Sequence, residues 1–166
     1  MAPGFNSYQR RSIRMSEYDY KSPGRYFITI STCGKIQLFG DVMDSTMITN
    51  DAGMMVERLW RSLPVRFLQI STEVSKVMPN HFHGILVINQ KTNRALGEYI
   101  GAFKSLTTRE YITGVTNQGW QPFSGHLWMD NYYEHIIRDE DDYHRIIEYI
   151  QDNALKWSAL HDEELP

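Results

Sequence analysis

The chain has 166 residues, 42% hydrophobic and 13% aromatic, which suits one folded domain with a real core and excludes a disordered polypeptide. Its single cysteine, Cys33, excludes an internal disulfide framework and a thiolate zinc cluster; with no signal-peptide core and no apolar run near the roughly 20 residues of a membrane span, a soluble cytoplasmic protein without membrane contact is expected. The net charge of −3 is unevenly spread: nine acidic and two basic residues follow from Asp139 onward, whereas residues 1–27 hold Arg10, Arg11, Arg14, Lys21 and Arg25 against Glu17 and Asp19. Such a basic arm suits phosphate binding, or is a solvated tail.

Residues 1–24 are polar and irregular up to Ser22-Pro23-Gly24, and RYFITIST (25–32) reads as a strand. After a loop through Gly34 and Gly40, Asn50 or Asp51 can cap a helix carrying Met54, Met55, Leu59 and Leu63 that stops near Pro64. QISTEVSKVM (69–78) and HFHGILVI (81–88) read as two strands joined through Pro79-Asn80 in an antiparallel hairpin. The spacing of Leu96, Ile100, Phe103 and Leu106 predicts a helix over 95–112, and a Gly- and Pro-containing loop (114–125) leads to a strand within HLWMDNYYEHIIR (126–138). A last helix starts in the acidic run Asp139–Asp142, where carboxylates favour the positive dipole end, and continues to about Trp157. The order strand–helix–strand–strand–helix–strand predicts one domain (1–166) of α+β class, a ferredoxin-like split βαβ with an antiparallel sheet and an extra C-terminal helix.

His81 and His83, at i and i+2 of a strand, share a face. Burying two imidazoles among apolar neighbours leaves several donors and acceptors to satisfy. The pair fits joint binding of one divalent cation or a polar structural role, and the first needs a third ligand. On the last helix Tyr149 and Asn153 are four apart on one face, beside a core stripe of Tyr143, Ile146 or Ile147, Ile150 and Trp157. Taken alone, these two positions read as a boundary aromatic and a helix C-cap. Tyr132, Tyr133 and Tyr143 read as packing, with base stacking the lesser alternative, and His126, His135 and His144 lack a partner at ligand spacing.

His81-Phe82-His83 resembles the histidine–hydrophobe–histidine (HUH) signature of single-strand DNA endonucleases that use a tyrosine nucleophile. RRSIRMSEYDYKSPGRYFITIST (10–32), MPNHFHGIL (78–86), GAFKSLTTR (101–109), NYYEHIIR (131–138) and YIQDNALKW (149–157) resemble, in order and over nearly the whole chain, the REP-associated tyrosine transposases. Those are domesticated relatives of the smallest single-tyrosine insertion-sequence transposases. The resemblance implies that His81, His83 and Asn153 hold a divalent metal, Mg2+ or Mn2+, and that Tyr149 is the catalytic nucleophile. It implies cutting and joining of single-stranded DNA beside a palindromic hairpin, through a 5′-phosphotyrosine, in the nucleoid of a bacterial cytoplasm. Lys104 and Arg109 fall in one of the matching blocks and join Arg10, Arg11 and Arg14 as expected DNA contacts; the protein is expected to be a monomer or a homodimer. Two departures stand out: Ala154 replaces the proline usual after the asparagine, and Met129-Asp130 interrupts a Trp-Gln-x-x-Tyr-Tyr pattern. A hairpin-binding module that no longer cuts is the alternative expectation, and a water-using metal phosphodiesterase a third.

Overall fold

The computed structural model describes residues 18–162. Arg10, Arg11 and Arg14 lie outside these residues. Strand β1 (Gly24–Ser31) leads through a short hairpin, β2 (Gly40–Met43) and β3 (Thr46–Thr49), to helix α1 (Asp51–Arg66). Strands β4 (Ile70–Met78) and β5 (His81–Ile88) follow, then α2 (Leu96–Gln118), β6 (Tyr133–Ile137), α3 (Glu140–Gln151) and α4 (Asn153–Asp162). The main sheet has the order β4-β5-β1-β6, with every neighbouring pair antiparallel. Apart from the β2–β3 hairpin this is the expected split βαβ plan.

Strand alternation divides the sheet between two layers. Tyr26, Ile28 and Ile30 of β1 and Phe82 and Leu86 of β5 point to one face, where Val56, Leu59, Trp60 and Leu63 of α1 and Leu96, Ile100 and Phe103 of α2 close the larger core. Position 84 falls on that face by the same alternation and takes glycine, because a Cβ there would stand 2.7 Å from the Trp60 ring. On the other face Phe27, Ile85 and Ile137 meet Ile150 of α3, with Tyr143, Ile146 and Ile147 packed around them. Both histidines of β5 fall on this second face.

Several boundaries follow the expected chemistry. Asn50 caps α1 by accepting from Gly53 N at 2.9 Å, and Asp139 caps α3 by accepting from Asp142 N at 2.8 Å. Others differ. The 33–49 loop contains the β2–β3 hairpin, turned at Asp44 and Ser45, whose φ values of 49° and 59° match a type I′ turn without its usual Asn-Gly. α1 runs two residues past Pro64: proline disturbs the turn before it, whereas beyond it Phe67 N still reaches Leu63 O at 2.9 Å. α2 runs on to Gln118 and ends at Gly119 in the left-handed conformation, φ 70°.

The expected single C-terminal helix is two helices, broken at Asp152 (φ −83°, ψ 1°). Asp and Asn are weak helix formers. In addition Lys76 of β4 donates its ammonium to Gln151 O at 2.9 Å, satisfying a carbonyl at the end of α3 with a cation where the helix dipole favours one.

Candidate metal centre and nucleophile

His81 and His83 sit on the α3 side of β5 as the pleat requires, beside Ser31 and Thr29 of β1. The tight Pro79-Asn80 turn that starts β5 is itself pinned: Thr32 N donates to Asn80 O at 2.9 Å and Leu38 N to Pro79 O at 2.8 Å. The two imidazoles stand edge to face with centroids 4.6 Å apart.

Hydrogen bonds select one tautomer for His81. Asn80 Nδ2 donates to Lys35 O at 3.2 Å, which turns Asn80 Oδ1 toward His81 Nδ1, 2.7 Å away. Amide oxygens face both ring nitrogens, and the shorter contact, to Asn80 Oδ1, suits a proton on Nδ1, which leaves the Nε2 lone pair directed outward. That lone pair faces Asn153 Oδ1 at 3.2 Å, two acceptors turned toward each other. Adjacent ligands of an octahedral cation at about 2.1 Å stand roughly 3 Å apart, so the pair is spaced as a cation would space it. His83 Nδ1 lies 2.8 Å from Thr29 Oγ1, while its Nε2 is buried with no hydrogen-bond partner. A hydrogen bond on one nitrogen and a free lone pair on the other is how metal-binding imidazoles are prepared. The residues therefore fit a divalent ion held by two imidazoles and one amide oxygen. Among the described residues no cluster of three His, Cys, Asp or Glu side chains offers another such site.

Burial is the main cause that brings the His81 pKa from 6.5 to about 4, with the Lys35 charge acting the same way and the Asn153 amide opposing. His83, 2% exposed, is brought to about 3 by burial first and by His81 second, again against the Asn153 amide. Both are neutral at pH 7 and keep their lone pairs. The unfolded chain binds protons on these imidazoles below pH 6.5 that the folded chain refuses until about pH 4. Their stabilising contribution is thus complete above pH 6.5 and declines as the pH falls, by up to about 1.4 kcal/mol per pH unit for each histidine. Urea melts in chelator at pH 7 and pH 5 should show this loss, and a slope unchanged in the His81→Ala, His83→Ala double variant would contradict it.

Tyr149 comes to the same place from α3. Its ring centroid lies 5.4 Å from that of His83 and 5.9 Å from Phe27, which packs edge-on against it, while 40% of the residue stays exposed. Lys156 sets its ammonium 4.6 Å from the Tyr149 ring centre. Asn153, 8% exposed, lies just past the Asp152 break, so Tyr149 and Asn153 face the histidines from two successive helices rather than one. Ala154 is 2% exposed and starts the α4 core contact without any need for proline. Lysines surround the centre: Lys35 donates to Ser31 Oγ at 2.8 Å, and Lys76, opposite His83 in the β4–β5 register, has its pKa lowered by burial.

The structure thus brings Tyr149, His81, His83 and Asn153 together. Lys104 and Arg109 lie elsewhere, on α2, lining a groove of about 510 Å³ with His126 and Phe123. Lys104 donates to Met129 O at 2.7 Å and to Asp130 O at 3.1 Å, bracing the backbone of the two departing residues. Of the other candidates, Tyr143 packs under the Arg25 guanidinium at 4.2 Å, and His135 pairs with Asp142 at 2.8 Å. The places of Thr29 and Lys76 at this centre, and any role of Asn80 beyond the turn, are not read from the sequence. A threonine in an apolar strand was the available signal for Thr29, but its partner becomes visible only with the sheet register.

The sequence pattern of the IS200-like transposases matches residues 47–153, well over half of the chain, and the chain belongs to that family. It is a transposase-like protein of α+β fold. An uncharacterized protein of Haemophilus influenzae is 37% identical over 169 residues, covering 90% of this chain and 91% of its own length. The structure of a REP-associated tyrosine transposase bound to a REP hairpin is similar, with a TM-score of 0.58 at 19% identity, over 86% of this chain and 74% of that one. A candidate transposase from Deinococcus radiodurans gives 0.52 at 16% identity, over 84% of this chain and 95% of its own. Among the described residues no helix is long and apolar enough to cross a membrane.

Proposed function

We propose that the protein nicks and rejoins single-stranded DNA beside a palindromic hairpin, with Tyr149 as nucleophile. The observation that carries this reading is the half-exposed Tyr149 ring standing 5.4 Å from that of His83, whose buried Nε2 has no partner. Tyr149 Oη attacks the scissile phosphorus and loses its proton to solvent, the bond to the 3′ oxygen breaks, and that oxygen takes up a proton. The DNA 5′ end is left as a phosphotyrosine ester and the other end as a 3′ hydroxyl. A phenolate is a better leaving group than an alkoxide, so an incoming 3′ hydroxyl can reverse the step without ATP. A divalent cation, Mg2+ or Mn2+, held by His81, His83 and Asn153 would polarise the scissile phosphate; two imidazoles favour Mn2+, availability favours Mg2+. Asn80 and Thr29 orient the imidazoles, while Lys35, Lys76 and Lys156 attract the phosphate backbone. The hairpin-bound state of the similar solved structure supports hairpin DNA as the substrate.

The test is incubation of a labelled hairpin oligonucleotide carrying unpaired extensions with the protein and Mn2+, read on a denaturing gel. A protein–DNA adduct that survives denaturation is expected. Tight hairpin binding with no cleavage would mean a silent binding module, and cleavage without adduct a water nucleophile. Replacing Arg10, Arg11 and Arg14 together by alanine should weaken hairpin binding and lower the slope of log affinity against log salt by up to about 2 to 3. An unchanged slope would make the basic arm a solvated tail.

A further inference from the structure

A groove of about 640 Å³ opens beside Tyr149 on the α3 side of the sheet, lined by Phe27, Thr29, Tyr133, His135, Ile146 and Tyr149, with Asp142 and Arg145 at its rim. Its floor and walls are aromatic. Phe27 is 4% exposed and stacks on His83, centroids 5.5 Å apart at 24°, so the floor is continuous with the candidate metal centre. Tyr133 and Tyr149 both stand nearly upright on Phe27, at 71° and 85°, and keep 45% and 40% of their surface exposed. Packing alone does not account for Tyr133. It lies on β6 opposite Thr29, where the neighbouring Glu134 is buried, yet presents its ring to the open groove. At the far end His135 Nε2 and Asp142 Oδ2 are 2.8 Å apart, and Arg145, its side chain 74% exposed, reaches Asp142 only at 3.4 Å. The groove is therefore flat-walled and apolar inside, rimmed by the Arg145–Asp142 ion pair whose guanidinium is open to solvent, and shares Tyr149 and Thr29 with the site.

We infer that this groove holds the unpaired nucleobase next to the scissile phosphate, stacked against Tyr133, with the Arg145 guanidinium toward its edge or phosphate. The occupant rests on the DNA reading above, and its chemistry follows from the walls. A nucleobase is the part of single-stranded DNA with a flat π-face, and it must lie within one nucleotide of a phosphate that meets Tyr149. Seating it would fix the register of the strand, so that one phosphate rather than its neighbours comes to the nucleophile. Tyr133 and Arg145 are positioning residues in this scheme.

The experiment is a binding measurement in chelator that needs no cleavage. A repeated-palindrome hairpin with short unpaired extensions is made with an abasic site at each unpaired position in turn, and its affinity is measured for the wild type, Tyr133→Ala, Tyr133→Phe and Arg145→Gln. One abasic position should weaken wild-type binding about tenfold, as expected for loss of one base–aromatic stack. The same position should cost Tyr133→Ala almost nothing, and Tyr133→Phe should behave as wild type. In the cleavage assay Tyr133→Ala should still form the adduct but spread it over neighbouring phosphates. Equal abasic penalties in wild type and Tyr133→Ala, or none anywhere, would overturn the groove assignment. Absence of adduct with the coupling intact would instead overturn only the role of Tyr149.

Discussion

Tyr149→Phe should eliminate both the covalent adduct and the nicked product while leaving hairpin affinity within about twofold of wild type. The substitution removes one oxygen from a side chain that is 40% exposed, and the ring can keep its edge contacts with Phe27 and His83. Stability should therefore move by no more than about 0.5 kcal/mol. Loss of a nucleophile costs several orders of magnitude in other covalent mechanisms, and a drop of at least about ten-thousandfold is expected here. Tyr143→Phe is the matched control, because Tyr143 packs beneath Arg25 on the small core of α3 and should cut normally. Mass spectrometry of the trapped wild-type adduct should place the phosphate on the peptide containing Tyr149. An adduct on another tyrosine would remove Tyr149 from the reaction.

His83→Ala should reduce cutting by more than a hundredfold, beyond the 10- to 100-fold typical of losing a residue that only orients a ligand. The mutation removes an imidazole whose Nε2 makes no hydrogen bond within the protein, so hairpin binding measured in chelator should stay close to wild type. Calorimetric titration with Mn2+ supplies an independent reading: the wild type should bind one ion and His83→Ala much less tightly. Thr29→Val should fall between them, because it takes away only the hydroxyl beside His83 Nδ1. Undiminished cleavage by His83→Ala in chelator would exclude the metal centre.

Much of this was legible in the sequence because it depends on period and punctuation. The β5 limits, the Pro79-Asn80 turn and the Asn50 and Asp139 caps all follow from local patterns whose physics does not need the rest of the chain. The grouping of His81, His83, Asn153 and Tyr149 came from resemblance to a family, not from spacing, which left each pair open to a structural role. What stayed hidden depends on partners distant in sequence. The break at Asp152 needs Lys76, 75 residues away, to take the Gln151 carbonyl. The β2–β3 hairpin turns on Asp44-Ser45, a pair that lacks the glycine normally expected for two positive φ values. The groove beside Tyr149 exists only once β1, β6 and α3 are assembled, so in the sequence base stacking at Tyr133 ranks below packing.

Strand β5 serves two masters by alternation: Phe82, Leu86 and Ile88 go to the larger core, and His81 and His83 go to the opposite face. A one-residue slip against β1 would send both imidazoles into the larger apolar layer and strand the phenylalanine on the α3 face, so no misregistered chain could keep half of the site. Under the proposed reaction, competence to cut and correct strand pairing are consequently a single quality. The specific activity of a preparation, titrated by the fraction of molecules that can form the tyrosine adduct, would serve as a census of natively registered protein that circular dichroism, blind to a slip of one residue, could not supply.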